Sequence, residues 1–331
     1  MTAPTTVDFP IQLPVVRKGE HWYARAGERE LRLSNLDKVY WPQEGYTKAD
    51  LLTYYFNISP VMLPHLRDRP LTLKRMPDGI IGPYFYEKNA PAHTPKWMPR
   101  IPVRSTTENK IINFLAVNDP AEMLYVANLG CIEFHPLHAR GPDQKRPSYA
   151  FFDLDPFPPA TYAEVRHVAN LVKMVLDRLG LASYPKTSGA TGMQIMVPLD
   201  GKQEYDMVRG FVGEVSDLVH QADPDTTTVE WEVRKRSGKV FLDVNMNREG
   251  ANIAAAYSLR PEPGASASAP FTWDELEDID PQNFTIETML PRVDAVGDPF
   301  LPVAEGPGQS IAQAIKELDA KPRKARDIRT R

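Results

Sequence analysis

Two carboxylates stand two residues apart at the end of the apolar run Phe151-Phe152-Asp153-Leu154-Asp155-Pro156. On a strand, Asp153 and Asp155 point to one face while Leu154 points to the other, toward a core. Like charges held together there cost free energy, and a divalent cation removes that cost. A third carboxylate, Asp243, closes the run Val240-Phe241-Leu242-Asp243. Three oxygen ligands with open positions suit Mg2+ or Mn2+, which keep water and phosphate oxygens in their remaining sites. Each piece alone has a plainer reading: an acidic turn for the pair, a strand end for Asp243. Together they point to metal-assisted chemistry on phosphates.

Two further groups bear on that chemistry. In Ser188-Gly189-Ala190-Thr191-Gly192 the glycines let the backbone approach a ligand, and successive N–H groups can form an anion-binding nest. No Lys-Ser/Thr pair follows the second glycine, so this is not a Walker loop, and a simple hairpin turn explains the stretch equally well. Arg234, Lys235, Arg236 and Lys239, with Arg260 further on, form a cationic set. A charge run is ordinarily a solvated hairpin tip. Standing directly before Asp243, it can also face a triphosphate.

Periodicity supplies the elements that position these residues. Thr47-Lys48-Ala49-Asp50 opens a capped amphipathic helix that continues in broken form past Pro60 to Leu66. Leu71–Arg75 and Tyr84–Glu87 read as strands, Pro120–Asn128 as a short helix, Cys131–His135 and Tyr149–Asp155 as strands. Thr161 and Glu164 form a capping box before a helix that Gly180 ends. An apolar strand Met193–Val197 and a helix Tyr205–Gln221 follow. Trp231–Val233 and Val240–Val244 read as two strands, and Phe284–Leu290, stopped by Pro291, and Gln309–Leu318 as helices. Residues 1–30 read as a loose arm with some strand character, and the last dozen residues as disordered.

Composition narrows the class. The 331 residues are enough for two lobes with a sizeable core, and the 32 prolines, about twice the usual share, favour an irregular, loop-rich enzyme over a bundle or repeat protein. No apolar stretch of about 18 residues occurs, so no membrane span is expected. Met1–Glu20 lacks a charged start followed by an apolar block, and Cys131 is the single cysteine, which excludes an internal disulfide and a multi-Cys zinc site. Both features favour a cytoplasmic location. The net charge of −4 hides an uneven distribution, because Lys321–Arg331 holds six Lys/Arg against one acid, Asp327.

In their order, Asp153-Leu-Asp155, Ser188-Gly-Ala-Thr-Gly192 and Asp243 resemble the three motifs of the archaeo-eukaryotic primase superfamily. More closely, the chain resembles the polymerase module of bacterial ligase D, the end-joining repair ligase, and stand-alone actinobacterial primase-polymerases. The resemblance covers roughly Leu31 to Val293. It includes Asn35-Leu-Asp-Lys38-Val-Tyr-Trp-Pro42, Leu73-Lys74-Arg75-Met-Pro77, Phe85-Tyr86-Glu87-Lys88, Glu133-Phe-His135-Pro136 and Tyr257-Ser-Leu-Arg260.

The resemblance implies a mixed α/β (α+β) fold, two curved and mostly antiparallel sheets flanked by helices and cradling the acids between them. It implies a single two-lobed catalytic domain over 1–303, a helix in 304–320 and a basic, disordered tail over 321–331. By residue, it implies that Asp153, Asp155 and Asp243 bind two Mn2+ or Mg2+ ions and catalyse nucleotidyl transfer. Lys74, His135, Ser188, Gly189, Thr191, Arg236, Lys239 and Arg260 contact the incoming nucleotide, and Phe85 and Tyr86 stack its base. Lys38 and Lys48 grip a downstream 5′-phosphate. Implied partners are DNA with gaps or ends, NTPs in preference to dNTPs, and a separate DNA ligase, in a bacterial cytoplasm near the nucleoid. Thr191, Met246 and Glu262 replace the Lys, Gln and Arg common in the family, which implies a weaker hold on the triphosphate and a stand-alone branch without ligase or nuclease portions. The rival classes are a metal-dependent nuclease and a non-catalytic DNA-end-binding module.

Overall fold

The chain alternates between two units, each assembled from three stretches of sequence. Unit 1 takes Met1–Pro136, Ile253–Ala269 and Pro281–Asp298; unit 2 takes Leu137–Asn252, Pro270–Asp280 and Pro299–Arg331. This computed structural model describes residues 13–105 and 109–324.

Unit 1 begins with an antiparallel meander of β1 (Val15–Lys18), β2 (His21–Ala26) and β3 (Arg29–Leu33). Ala24, Ala26, Leu31 and Leu33 are buried on its inner face. The loose arm expected there is corrected from Val15 onward; residues 1–12 lie outside the described residues. A two-stranded ladder, β4 (Val39–Trp41) and β5 (Tyr46–Thr47), leads into α1 (Lys48–Leu66). Thr47 caps α1: its hydroxyl accepts from the Asp50 N–H, and its own N–H donates to the Asp50 carboxylate at 2.7 Å. The helix runs unbroken through Pro60 and Pro64, unlike the broken helix expected. Pro60 cannot donate to the Phe56 carbonyl, and the Ser59 hydroxyl donates to it instead at 2.8 Å.

A five-stranded antiparallel sheet forms the body of unit 1. Its strands are β6 (Leu71–Arg75), β7 (Phe85–Glu87), β8 (Arg100–Ser105), β9 (Lys110–Leu115) and β10 (Cys131–Pro136), in the order β10-β6-β9-β8 with β7 also on β6. Between β9 and β10, α2 (Pro120–Asn128) starts at Asp119, whose carboxylate accepts from the Glu122 N–H. The Ile253–Ala269 stretch lies along β10, where the Ala255 N–H donates to the Phe134 carbonyl at 2.9 Å and the Phe134 N–H to Ser258 Oγ at 3.1 Å. The helix expected over Phe284–Leu290 is displaced to Met289–Val296. Pro291 falls in its first turn, where an absent N–H costs nothing, so it does not stop the helix.

Unit 2 is built on β11 (Tyr149–Pro156), α3 (Tyr162–Arg178), β12 (Tyr184–Thr187), β13 (Met193–Pro198), α4 (Tyr205–Ala222), β14 (Thr227–Thr228) and β15 (Val240–Leu242). The sheet order is β12-β13-β11-β15-β14, antiparallel except for β14 beside β15. The α3 capping box of Thr161 and Glu164 forms as the sequence predicts. α3 and α4 pack on each other and on β11, burying Val165, Val168, Val172 and Leu176 from one and Val208, Phe211, Val212 and Val215 from the other. Trp231–Val233 is not a strand: Val233–Lys235 forms a short 3-10 turn. Two helices follow, Leu301–Glu305 and Ala312–Glu317, the latter shorter than the predicted Gln309–Leu318.

Residues 321–324 lie on α4. The Arg323 guanidinium pairs with Glu214 at 2.8 Å and Asp217 at 2.6 Å, and the Arg323 N–H donates to the Asp206 carbonyl at 2.9 Å. Gly210 makes the approach possible, since a Cβ there would come within 1.9 Å of the Lys321 carbonyl oxygen. The rest of the basic tail, residues 325–331, lies outside the described residues.

The class is mixed α/β, as read from the sequence, with two five-stranded, mostly antiparallel sheets and two smaller ones of three and two strands among the described residues. All three aspartates belong to the unit 2 sheet, at β11 and the end of β15. Among the described residues no helix is long and apolar enough to cross a membrane.

Candidate active site

Unit 2 carries the acids. β11 buries Leu154 completely and leaves Asp153 and Asp155 partly exposed, which is the alternation the sequence predicts. β15 runs antiparallel beside it with Leu242 opposite Leu154, and the Asp243 N–H donates to the Asp153 carbonyl at 3.1 Å. The third aspartate is thereby set next to the first. Burial pushes the Asp153 carboxyl well above the usual range, and the charges of Asp155 and Asp243 push it the same way. Gln194 and Lys186 act in opposition. The donor set is of the hard oxygen kind that Mg2+ and Mn2+ take, and a cation relieves such a cluster. Among the described residues, however, no group of three His, Cys, Asp or Glu side chains is arranged to hold a metal ion. The aspartates are brought together by strand pairing, not yet converged as a ligand shell.

Sequence reasoning missed two neighbours. Register places Lys186, Gln194 and Asp153 in one row across β12, β13 and β11. The fully buried Lys186 ammonium donates to Gln194 Oε1, and Gln194 Nε2 donates to Asp153 Oδ1 at 3.1 Å. An ammonium only donates, so it fixes which end of the Gln194 amide faces the aspartate. The signal was available as a lysine and a glutamine each two residues from the glycine turn's borders, inside otherwise apolar strands.

The glycine turn closes on itself. The Ser188 hydroxyl accepts from the Ala190 N–H at 3.1 Å and the Gly192 N–H at 3.0 Å, while the Ser188 N–H donates to the Gly192 carbonyl at 2.9 Å. Two of the amides expected to form a nest are therefore engaged by the serine, which keeps its own proton to donate. Gly189 has φ +77°, and a Cβ at Gly192 would lie 2.5 Å from the Leu154 carbonyl oxygen and 3.2 Å from Asp155 Oδ1. The turn is thus packed directly against the acidic strand. Thr191 is exposed on it.

Arg236 is placed differently from the expectation. It is 4% exposed, and its guanidinium lies over the rings of Phe241, Phe157 and Trp231 at 3.5, 5.0 and 5.5 Å. Its Nε donates to the Glu230 carbonyl at 3.0 Å and a terminal nitrogen to the Trp231 carbonyl at 2.5 Å. These two bonds engage two of the five N–H donors of the guanidinium. Those bonds also turn the Glu230 and Trp231 carbonyls toward a side chain, the reason no strand forms there. Lys239 donates to the Pro224 carbonyl at 2.6 Å.

Unit 1 carries the remaining candidates. A bulge in β10 moves the register from Cys131 opposite Arg75 to Glu133 opposite Lys74. Glu133, which sequence reasoning left without a role, is 1% exposed. Its carboxylate accepts from Lys74 Nζ and His135 Nε2, both at 2.6 Å, and lies 3.3 Å from an Arg260 terminal nitrogen. Burial alone would raise its pKa, but the His135 hydrogen bond, the Arg260 and His135 charges and the Lys74 hydrogen bond bring it down to about 2. Burial depresses the His135 pKa despite the carboxylate, with Arg260 and Lys74 acting in the same direction as burial. The arrangement is an imidazole nitrogen against a carboxylate that the lysine and the arginine flank. The three basic candidates are brought together, and an acid holds them.

The aromatic pair is split. Phe85 lies against Arg75 at 5.1 Å, whereas Tyr86 meets the His135 ring edge-on at 5.9 Å. Successive strand residues face opposite ways. The aromatic that shares the Tyr86 side is Tyr84, 5.9 Å from Tyr86 and 5.0 Å from Lys74 Nζ, and both tyrosines are exposed. Lys38 and Lys48 are neighbours, joined by a Lys48 N–H to Lys38 carbonyl bond of 2.8 Å. Lys38 pairs with Asp78; Lys48 is buried, donating to the Asn128 carbonyl at 2.6 Å and Ser34 Oγ at 3.2 Å.

Comparison with known proteins places these residues in context. Residues 47–300 match the family model described as LigD, primase-polymerase domain. The chain is 33% identical over 284 residues to a multifunctional non-homologous end joining protein LigD of Mycolicibacterium smegmatis, covering 85% of this chain and 37% of that protein. It is 30% identical over 288 residues to a bifunctional non-homologous end joining protein LigD of Bacillus subtilis, covering 86% of this chain and 46% of that one. The chain thus spans less than half the length of these relatives. Among solved structures it resembles the polymerase domain of Mycobacterium tuberculosis ligase D in complex with DNA, with TM-score 0.78 and 29% identity, covering 84% of this chain and 99% of that one.

Proposed function

Because the chain belongs to the LigD primase-polymerase family, we propose that it is a DNA repair polymerase that joins nucleoside triphosphates to primer 3′ ends at short gaps or breaks. The observation that carries this reading is the Asp243 N–H bonded to the Asp153 carbonyl, which sets the backbone of the third aspartate beside that of the first. Asp153, Asp155 and Asp243 are the metal-binding set in this reading. Two divalent ions, Mn2+ or Mg2+, would activate the 3′-hydroxyl and neutralise the triphosphate and leaving pyrophosphate. The chain's own groups orient the reactants, which supplies most of what phosphoryl transfer needs. Gln194 holds one oxygen of Asp153 in place. Ser188, Gly189, Thr191, Arg236 and Lys239 on unit 2, and Lys74, Phe85, Tyr86, His135 and Arg260 on unit 1, are the nucleotide contacts of this proposal. Lys38 and Lys48 recognise the 5′-phosphate beyond the gap. Ribonucleotides are preferred, a separate ligase seals the product, and the work is done at the bacterial nucleoid.

Primer extension on a one-nucleotide DNA gap tests the proposal, with NTPs or dNTPs, Mn2+ or Mg2+, and a downstream 5′-phosphate or 5′-hydroxyl. Expected are NTP-dependent pyrophosphate release and a loss of more than about 100-fold in Asp153→Ala. An Asp153→Ala protein that extends as fast as wild type removes that residue from the mechanism.

A further inference from the structure

We propose that Glu133 is a positioning residue that fixes the tautomer of His135 and sets Lys74 and Arg260 around it. The inference rests on the nucleotide-binding reading of those three residues for its functional half, and on geometry alone for its tautomer half.

The chemistry follows from the donor inventory. An ionised carboxylate accepts and never donates. His135 Nε2 lies 2.6 Å from Glu133 Oε2, so the proton of a neutral ring must sit on Nε2. Nδ1 is left as an acceptor. It can take a hydrogen bond from an O–H or N–H and cannot donate one to a phosphate oxygen, which has no proton to give near neutral pH. Within this cluster, recognition of phosphate then falls to the cations, Lys74 and Arg260.

The same carboxylate sets the positions of those cations. Lys74 stands opposite Glu133 in the ladder and is 14% exposed, while Arg260 arrives from a stretch distant in sequence and is 20% exposed. Arg260 Nε is buried without a hydrogen-bond partner, so its pairing with Glu133 is what anchors the guanidinium. One negative charge between two positive ones leaves the cluster with a net positive charge and keeps two long side chains from splaying apart. Tyr86 closes the edge of the imidazole, so a ligand meets the ring beside an exposed aromatic.

Nitrogen-detected NMR of the histidine rings in the wild-type protein tests the first half without any catalysis. The expected His135 signal at pH 7 has a protonated Nε2 and a bare Nδ1. A ring protonated on Nδ1 alone, or on both nitrogens, overturns the proposal. Steady-state extension on gapped DNA tests the second half with Glu133→Gln, whose amide can turn its NH2 toward the ring and reverse the tautomer. The KM for NTP is expected to rise about 10-fold or more, with kcat changed less than 3-fold. A wild-type KM overturns the proposal. A Glu133→Gln chain that does not fold leaves the NMR result as the deciding measurement. A wild-type protein that folds but extends no primer refutes the polymerase reading and leaves the tautomer assignment to stand or fall on its spectrum.

Discussion

Lys48 is held in an unusual state for a lysine. Burial, with the charges of Lys38 and Arg75, lowers its pKa from 10.5 to about 8. Its ammonium donates to a carbonyl and a hydroxyl, neither of them charged. To grip a phosphate it must exchange those partners for an anion, and it can do so only while protonated. Discrimination between a 5′-phosphate and a 5′-hydroxyl at a gap is therefore expected to weaken several-fold between pH 7 and pH 9, and a preference that stays flat over that range removes Lys48 from phosphate binding. Between about 8 and 10.5 the unfolded chain binds the extra proton, so this residue makes the fold more stable as pH rises through that window. The sequence shows the lysine but not its burial, which depends on Ser34 and Asn128. Arg236 teaches the same lesson from the other side: a charge run looks solvated, and only tertiary packing shows the guanidinium enclosed by three rings. The Tyr84–Tyr86 pairing, by contrast, was legible, because the two-residue period of a strand excludes Phe85 from the Tyr86 face.

The glycine turn and the acidic strand behave as one element. Gly192 packs on the Leu154 carbonyl and close to Asp155, with the Ser188 hydroxyl tying the turn shut. Gly192→Ala is expected to cost about 1–3 kcal/mol and to displace Asp155. The check is a thermal melt beside an extension assay: a melt several degrees lower with extension reduced at least 10-fold agrees, and wild-type values in both show that the turn yields freely. Elements marked by strong local chemistry were readable in advance. The caps of α1 and α3, the apolar run of β11 and the helical repeat of α3 carry their own signals. β8 and β9 went unread: Pro102 stands inside the first, and the second, with Ile111, Ile112, Phe114 and Leu115, is an apolar run whose pairing with β8 appears only in the register. The third aspartate was readable as a residue, but its place beside Asp153 required the β11–β15 register.

On the scale of the whole chain, each unit borrows segments from beyond its neighbour in sequence. Pro270–Asp280 returns to unit 2, where Trp273 Nε1 donates to the Ser183 carbonyl at 2.7 Å and Arg166 donates to the Glu277 carbonyl. A fragment of residues 137–252 lacks those partners, as well as Arg323 on α4. It is expected to show no cooperative melt and poor dispersion in a proton–nitrogen NMR spectrum; a folded, cooperative fragment shows instead that the returning segments are dispensable. No local pattern in the sequence reveals such interleaving, because contacts across long separations leave no periodic trace. One consequence reaches outside the chemistry of the site. Cys131 is the single cysteine, fully enclosed on β10, and burial pushes its thiol well above the usual value. Alkylating reagents attack the thiolate, so in the native protein this sulfur is hidden twice, by access and by protonation. Its modification then clocks the opening of the strand that bears Glu133 and His135, and the chain carries a one-atom reporter of its own breathing without any engineered label.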